Sequence, residues 1–159
     1  MKKLILVNDF LERNLTRETV KFIEVIPFVQ NEFGEEASVG RRIPGIDKLF
    51  SDFLGSPYRV ENSGEEIFRK PSYNIHYESF NTTDDWVFIN ALKPTTFNLF
   101  TSKMGAENAL EDTDLPFKDF TQWNYTTNIL LGENDGLFFR PWLFHSIQGG
   151  LIQYYRLTK

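Results

Sequence analysis

Short apolar segments alternate with turn-forming segments throughout the second half of the sequence, and this pattern constrains the fold more than any other feature. The segments WVFINAL, TTFNLFTS, QWNYTTNILL and LIQYYRLTK are rich in the aromatic and β-branched residues that favour strands. They are separated by stretches such as NTTDD, GENDG and QGG, which carry turn-forming residues. Several short strands with a turn about every ten residues are typical of β-sandwiches and barrels. We therefore predict a mainly β core over residues 65–159.

The first 64 residues have a different pattern, in which helices dominate after one short strand in ILVNDFL. A first helix is predicted from an N-cap at Thr16 to Pro27, which cannot continue it. A second helix follows Pro44, with apolar residues every three or four positions until Gly55 stops it. We predict a single domain over residues 1–159, with a helical lead-in over residues 1–64 and an α+β, mainly β fold.

Composition excludes several classes of function. The 159 residues include no cysteine, which excludes disulfides and thiolate metal sites. The net charge of −5 argues against a broad phosphate-binding surface, so we expect no nucleic-acid partner. The apolar run in MKKLILVNDF ends at Asn8, which makes it too short for a secretion signal or a membrane span. We therefore expect a cytoplasmic location and no membrane partner.

The two histidines of the chain stand where they could share a metal ion. In the segment YNIHYESF, extended backbone would put His76 and Glu78 on one face, because side chains two residues apart project together. His145, on a later strand, would complete a set of two histidines and one carboxylate, which is typical of non-haem Fe(II) oxygenases. Taken singly, a histidine in an aromatic strand is more often a hydrogen-bonded core residue, and an HxE pair is more often a surface pair.

A lone arginine near the end of the chain is the second candidate. Alternation along LIQYYRLTK predicts that Ile152, Tyr154, Arg156 and Thr158 share one face of the last strand. If that face is the barrel interior, the guanidinium offers a fork of donors and the threonine a hydroxyl, which together suit a buried carboxylate. The structural alternative is that Arg156 extends to the surface beside the chain end.

These residues carry a resemblance to a known family. From residue 73 to residue 158 the sequence resembles the 2-oxoglutarate-dependent Fe(II) oxygenases, in particular their compact prolyl-hydroxylase-like branch. The iron motif of that family is HxD…H, with HxE as a minority variant, and His76, Glu78 and His145 stand at the matching positions. The resemblance implies a double-stranded β-helix, or jelly-roll, core in which these three side chains bind Fe(II) and carry the catalysis.

The same resemblance implies a site for 2-oxoglutarate. The family has an arginine after the distal histidine that pairs with the far carboxylate of this co-substrate, and Arg156 matches it. Thr158 matches a hydroxyl that often follows two residues later, and Tyr73 matches a tyrosine that in some members reaches the same carboxylate. The implied reaction uses O2 and couples decarboxylation of 2-oxoglutarate to oxidation of a substrate. That substrate is a peptidyl proline, another amino-acid side chain or a small molecule.

The sequence departs from the family pattern in two places. Glu78 is one methylene longer than the usual aspartate, and VFINALKPTTFNLFTS lacks the Gly-Gly that many members carry. Two alternatives stay open. A non-enzymatic jelly-roll module that binds sugar or protein would use His76, His145 and Arg156 structurally. A cupin-like metalloenzyme that takes no 2-oxoacid would keep the metal and leave Arg156 without a role.

Overall fold

The computed structural model describes residues 1–23, 27–31, 34–62 and 64–159. Within these ranges the chain is built from short strands, two helices and one 3₁₀ turn over Phe120–Gln122. The elements in chain order are β1 (Leu4–Asn8), α1 (Arg13–Ile23), β2 (Val29–Gln30), β3 (Glu36–Gly40), α2 (Ile46–Leu54), β4 (Arg59–Val60), β5 (Glu65–Arg69), β6 (Trp86–Ala91), β7 (Thr95–Ser102), β8 (Trp123–Leu131), β9 (Asp135–Phe139), β10 (His145–Gly149) and β11 (Leu151–Thr158).

The strands of the described residues pair antiparallel in two sheets. The larger sheet has the order β1-β9-β6-β11-β5-β3-β2, and β4 also pairs with β11. The smaller sheet has the order β10-β7-β8. Neighbours in the sheets are often distant in sequence, as in β1 with β9 and β11 with β6, which is the crossed connectivity of a jelly-roll. The predicted α+β, mainly β fold with a jelly-roll core is confirmed.

The core fills both faces of the larger sheet, because its central strands are buried on both sides. On β9, Phe139 packs between the sheets and Phe138 packs on the opposite face against Phe50 of α2. On β11, Tyr155 joins the cluster under α2. The next residues on either side, Tyr154 and Arg156, therefore point to the face between the sheets. This alternation positions the candidate site.

The N-terminal part contains more strand than the sequence predicted. Besides the expected β1, the strands β2, β3 and β4 also join the larger sheet. The helix α1 begins at Arg13, so Thr16 lies inside it and is not the N-cap that we predicted. Its hydroxyl instead donates to Asn134 Oδ1 at 2.7 Å, a tertiary contact that no local pattern predicts. The predicted extension of this helix over residues 24–26 lies outside the described residues.

The second helix agrees with its sequence signals. It ends at Leu54, and Gly55 follows with a φ of 76° that favours glycine. Its N–H donates to Ser51 O at 2.9 Å, which closes the last turn. None of the helices in the described parts of the chain combines the length and the apolar character needed to cross a bilayer.

Two segments that read as continuous strands are interrupted. In EIFRKPSYNIHYESF, which begins at Glu66, only the part as far as Arg69 belongs to a strand, β5, because Lys70 turns away at a φ of 58° and Pro71 cannot donate to the ladder. In LFFRPWLFHSI, Pro141 separates β9 from β10. The acidic segment before β8 forms turns, an isolated bridge at Asn108 and the 3₁₀ turn, without a regular strand.

Candidate metal centre

His76 and His145 are held opposite each other by their backbones. The N–H of His76 donates to His145 O at 2.9 Å, and the N–H of His145 donates to His76 O at 2.9 Å. In such a hydrogen-bonded antiparallel pair both side chains project to the same face. The two imidazole ring centres are accordingly 4.4 Å apart. His76 therefore lies in an isolated β-bridge and not in the regular strand that the sequence predicted. The bridge still directs the side chains of His76 and Glu78 to one face, as a strand would.

Glu78 brings a carboxylate to the two rings. Its Oε1 lies 3.2 Å from His76 Nε2 and 3.4 Å from His145 Nε2. The Glu78 backbone is fixed by its N–H, which donates to Pro141 O at 2.7 Å. The structure thus brings together the three residues that the sequence singled out, and their ligand atoms all lie within 4.8 Å of one another.

The second nitrogen of each ring fixes which nitrogen carries the proton. His76 Nδ1 lies 2.7 Å from Asn74 O, and His145 Nδ1 lies 2.7 Å from Leu143 O. A carbonyl oxygen can only accept, so each Nδ1 carries a hydrogen, and in the neutral ring Nε2 then presents a lone pair. Two lone pairs and a carboxylate that converge in this way repel one another unless a proton or a metal ion lies between them. The donor set therefore fits a divalent metal, with each imidazole oriented by a backbone carbonyl.

The surroundings of His145 keep its ring in place. The side chain is fully buried, and its ring stacks on Phe97 with the ring centres 5.2 Å apart. Phe139 flanks it at 4.7 Å. His76 is only partly buried and lies on the side where the site opens. One ligand is therefore anchored in the core, and the other reaches the cavity.

The charges of the three groups are strongly linked. Burial raises the pKa of Glu78, but the hydrogen bonds and charges of His145 and His76 outweigh it and hold that pKa well below its usual range. Burial opposes a charge on His76, yet the hydrogen bond and charge of Glu78 raise its pKa above the ordinary value. Burial, and then the charge of His76, lower the pKa of His145. The carboxylate stays ionised, and the core histidine is kept neutral, as a metal ligand must be.

A cavity of about 620 Å³ opens from this cluster. His76, Glu78 and Arg156 all line it. Much of the remaining wall is apolar, as expected for a site that binds a small ligand. These wall residues include Phe68, Ile75, Tyr77, Phe117, Ile147 and Ile152.

Arg156 reaches this cavity from β11, as the alternation predicted. Its side chain is 39% exposed and its Nη2 lies 3.7 Å from Glu66 Oε1. Its Nε is buried and has no hydrogen-bond partner among the described residues. The backbone here is fixed from outside the cavity, because the Arg156 N–H donates to Asn62 Oδ1 at 3.0 Å and the Glu61 N–H donates to Arg156 O at 2.8 Å. The guanidinium is positioned for a further acceptor.

Two cavity residues were not identified as functional from the sequence. Tyr154 is buried next to the metal cluster, and burial, followed by the charge of Glu78, holds the pKa of its phenol well above the ordinary value. The alternation of the last strand had placed Tyr154 on the face of Arg156, and that signal was sufficient to find it. Glu66 faces Arg156 across the sheet, a contact that depends on the register of β5 with β11 and that the sequence does not show.

Two other predicted co-substrate ligands lie elsewhere. Thr158 is buried, and its hydroxyl donates to Asp85 Oδ1 at 2.8 Å. It is not among the described residues that line the cavity. Tyr73 is 58% exposed and lines a separate depression beside Asn98 and Gln148. Among the described residues, neither Thr158 nor Tyr73 lines the cavity with Arg156, because Thr158 is bonded to Asp85 and Tyr73 is turned outward.

Known proteins resemble the chain in structure and not in sequence. No protein-family model and no curated protein sequence matches it. The crystal structure of SnoN, a non-heme alpha-ketoglutarate-dependent epimerase from nogalamycin biosynthesis, matches over 99% of this chain and 78% of its own. The TM-score is 0.64 at 13% sequence identity. The fold is that of the 2-oxoglutarate-dependent non-haem enzymes.

Further structures share this 2-oxoglutarate-enzyme fold. SnoK, a non-heme alpha-ketoglutarate-dependent carbocyclase from the same biosynthesis, matches over 98% of this chain and 78% of its own, with a TM-score of 0.58 at 10% identity. HygX from Streptomyces hygroscopicus, solved with nickel, 2-oxoglutarate and hygromycin B bound, matches over 98% and 81% with a TM-score of 0.54 at 10% identity. At such identities the likeness is one of fold, and the chemistry of this chain follows from its own site.

Proposed function

We propose that this protein is an Fe(II)- and 2-oxoglutarate-dependent enzyme that couples decarboxylation of 2-oxoglutarate to oxidation of an organic substrate. One observation carries the proposal. Two imidazole nitrogens with fixed tautomers and one carboxylate converge at a cavity that also contains a guanidinium, whose buried Nε has no hydrogen-bond partner in the described parts of the chain. A metal and a carboxylate-bearing co-substrate would satisfy both sets of groups at once. The fold of SnoN, SnoK and HygX supports the same assignment.

In this proposal His76, Glu78 and His145 hold the metal. These three side chains would hold the metal and would leave coordination positions for a co-substrate and for O2. Bound iron supplies the activation of O2, and 2-oxoglutarate supplies the electrons for it. The residues of the chain bind and orient the metal and the co-substrate. Asn74 O and Leu143 O keep the two rings aimed at the metal, and the aromatic rings around His145 exclude water from that side.

Arg156 binds the far carboxylate of the co-substrate. The guanidinium presents several N–H groups in a fixed plane, which matches the two oxygens of a carboxylate. Its buried Nε is the donor that lacks a partner among the described residues. Tyr154 lies on the same face, and its raised phenol pKa keeps it a neutral hydrogen-bond donor beside Glu78. Thr158 has a structural role in this arrangement, since its hydroxyl is bonded to Asp85.

We propose hydroxylation as the reaction, with an amino-acid side chain or a small molecule as the substrate. The cavity is also lined by Tyr77, Phe117 and Lys118, and in this proposal these side chains contact a substrate bound beside the metal cluster. SnoN is an epimerase and SnoK is a carbocyclase, so the same fold supports several outcomes of substrate oxidation. The cytoplasmic location expected from the sequence stays a prediction.

The experiment that tests the function is an anaerobic titration of the purified protein with Fe(II) and then with 2-oxoglutarate. The proposal predicts a visible charge-transfer band when the 2-oxoacid chelates the bound iron, and a weaker response with the Arg156→Ala variant. Iron binding without a band would favour a cupin-like metalloenzyme, for which the ion pair between Arg156 and Glu66 would be structural. Binding of neither would favour a jelly-roll module without a metal.

A further inference from the structure

Arg156 faces a carboxylate that belongs to the protein itself. In the register of β5 with β11, Glu66 stands opposite Tyr154, so Arg156 is its diagonal neighbour on the same face of the sheet. Glu66 Oε1 lies 3.7 Å from Arg156 Nη2, and both side chains line the cavity. The guanidinium that is expected to bind the co-substrate therefore has an internal anion beside it.

The contact between these two side chains is a loose one. A strong arginine–carboxylate pair has two parallel hydrogen bonds at shorter distance. Here a single approach at 3.7 Å is present, and Arg156 Nε stays without a partner among the described residues. Glu66 is largely buried, with 25% of its side chain exposed. Its position lowers the net positive charge at Arg156 without filling the donor positions of the guanidinium.

The two other carboxylates that line the cavity, Glu35 and Glu78, have partners of their own. Glu35 accepts a hydrogen bond from the Ser72 N–H at 2.8 Å, and Glu78 faces the two histidines. Lys118 lines the cavity from the loop before β8 and has no ion pair with Glu66 among the described residues. Glu66 is thus the carboxylate that an incoming dianion meets at Arg156.

We propose that Glu66 competes with the far carboxylate of 2-oxoglutarate for Arg156 and so sets the affinity of the enzyme for this co-substrate. This inference rests on the proposed function. When 2-oxoglutarate binds, its far carboxylate takes the free donors of Arg156, and Glu66 is left close to a second anion. The repulsion between these two anions weakens the binding of 2-oxoglutarate selectively. A 2-oxoacid that has no second carboxylate does not meet this repulsion.

The test compares two ligands on the Ni(II)-loaded protein by isothermal titration calorimetry. One ligand is 2-oxoglutarate, and the other is 2-oxopentanoate, which has the same chain length and no far carboxylate. Glu66→Gln is expected to lower the Kd for 2-oxoglutarate about threefold to tenfold, the range for removal of one partly solvated charge contact. The Kd for 2-oxopentanoate is expected to stay unchanged.

Two further variants sharpen the test. Glu36→Gln is the matched control, because Glu36 is also a 25% exposed strand glutamate that pairs with an arginine, Arg69, but does not line the cavity. It should leave both Kd values unchanged. In an Arg156→Ala background, Glu66→Gln should no longer tighten the binding of 2-oxoglutarate selectively, since the far carboxylate is then not held beside residue 66.

The possible failures are distinguishable. The wild-type protein could bind Ni(II) and 2-oxoglutarate while Glu66→Gln gives no gain in affinity, or the same gain for both 2-oxoacids. The role proposed for Glu66 would then be wrong, and the proposed function would stand. If the wild-type protein binds no 2-oxoglutarate, the proposed function is wrong and the role of Glu66 is overturned with it.

Discussion

His76 and His145 exchange both of their backbone hydrogen bonds, each at 2.9 Å, so two rings from distant parts of the sequence are fixed side by side. The geometry of the site therefore depends on backbone pairing and not on the chance alignment of flexible side chains. Glu78, whose own N–H is held by Pro141 O at 2.7 Å, is positioned in the same way. A site built on fixed backbone positions is expected to tolerate little change in the length of the side chains that ligate the metal.

The first prediction concerns the reach of the carboxylate. Glu78→Asp is expected to weaken Ni(II) binding roughly tenfold or more, because the shorter side chain withdraws the oxygen while the backbone stays pinned. Calorimetric titration with Ni(II) measures this change. Glu36→Asp, which shortens a carboxylate outside the cavity, is the control and should leave the affinity unchanged. Equal or tighter metal binding by Glu78→Asp would show that Glu78 does not ligate from its observed position.

The second prediction separates the co-substrate from the metal. Arg156→Ala is expected to weaken 2-oxoglutarate binding by about tenfold to a hundredfold, since a hydrogen bond to a charged group contributes about 1.5–3 kcal/mol. Ni(II) affinity should not change, because Arg156 is not among the three clustered ligand groups. Arg59→Ala, on β4 and outside the cavity lining, is the control. Unchanged 2-oxoglutarate affinity in Arg156→Ala would assign this arginine a structural role.

The third prediction tests the role of Thr158. Thr158→Val keeps the shape of the side chain but removes the hydroxyl that donates to Asp85 Oδ1 at 2.8 Å. The free energy of unfolding, measured with urea, is expected to fall by about 1 kcal/mol. The Kd for 2-oxoglutarate should stay the same. A variant of full stability with weakened 2-oxoglutarate binding would return Thr158 to the co-substrate site.

The fourth prediction concerns a buried carboxyl outside the metal cluster. Glu65 accepts hydrogen bonds from the Tyr155 hydroxyl at 2.6 Å and from Gln153 Nε2. Burial raises the pKa of Glu65 above its ordinary value of 4.5. The unfolded chain therefore loses this proton at a lower pH than the folded protein. The contribution of Glu65 to stability falls as the pH rises from 4.5 through the raised value, and it stays reduced at higher pH.

The variant Glu65→Gln removes this titration. Its free energy of unfolding relative to the wild type is expected to increase between about pH 5 and about pH 8, where the wild type loses the contribution of the protonated carboxyl. Urea unfolding of both proteins at the two pH values gives the difference directly. A difference that does not change with pH would show that Glu65 keeps one protonation state in the folded protein across this range.

Much of the metal cluster could be predicted from the sequence, for a physical reason. The chain has two histidines, and one of them stands two residues from a glutamate in extended backbone. Period-two projection holds in an isolated bridge as it does in a regular strand, so the error about the strand around His76 did not affect the site. The position of Arg156 followed from the same alternation along β11.

The remaining features depend on contacts between distant segments. Thr158 meets Asp85 and Arg156 meets Glu66 because of how β11 pairs and packs, and neither contact has a local signature. The strands β2 and β4 have two residues each, too few to show alternation, so their place in the larger sheet was not predictable. Tyr73 has the spacing of a ligand, but the chain around it turns the ring outward.

The central claim is that His76, Glu78 and His145 hold one divalent metal ion. The most direct test is an anaerobic Fe(II) titration of the wild type and of His145→Ala, with circular dichroism to show that the variant is folded. His145→Gln serves if the alanine variant does not fold. We predict one Fe(II) per wild-type chain and no binding by the variant. A folded variant that still binds one Fe(II) with wild-type affinity would contradict the account.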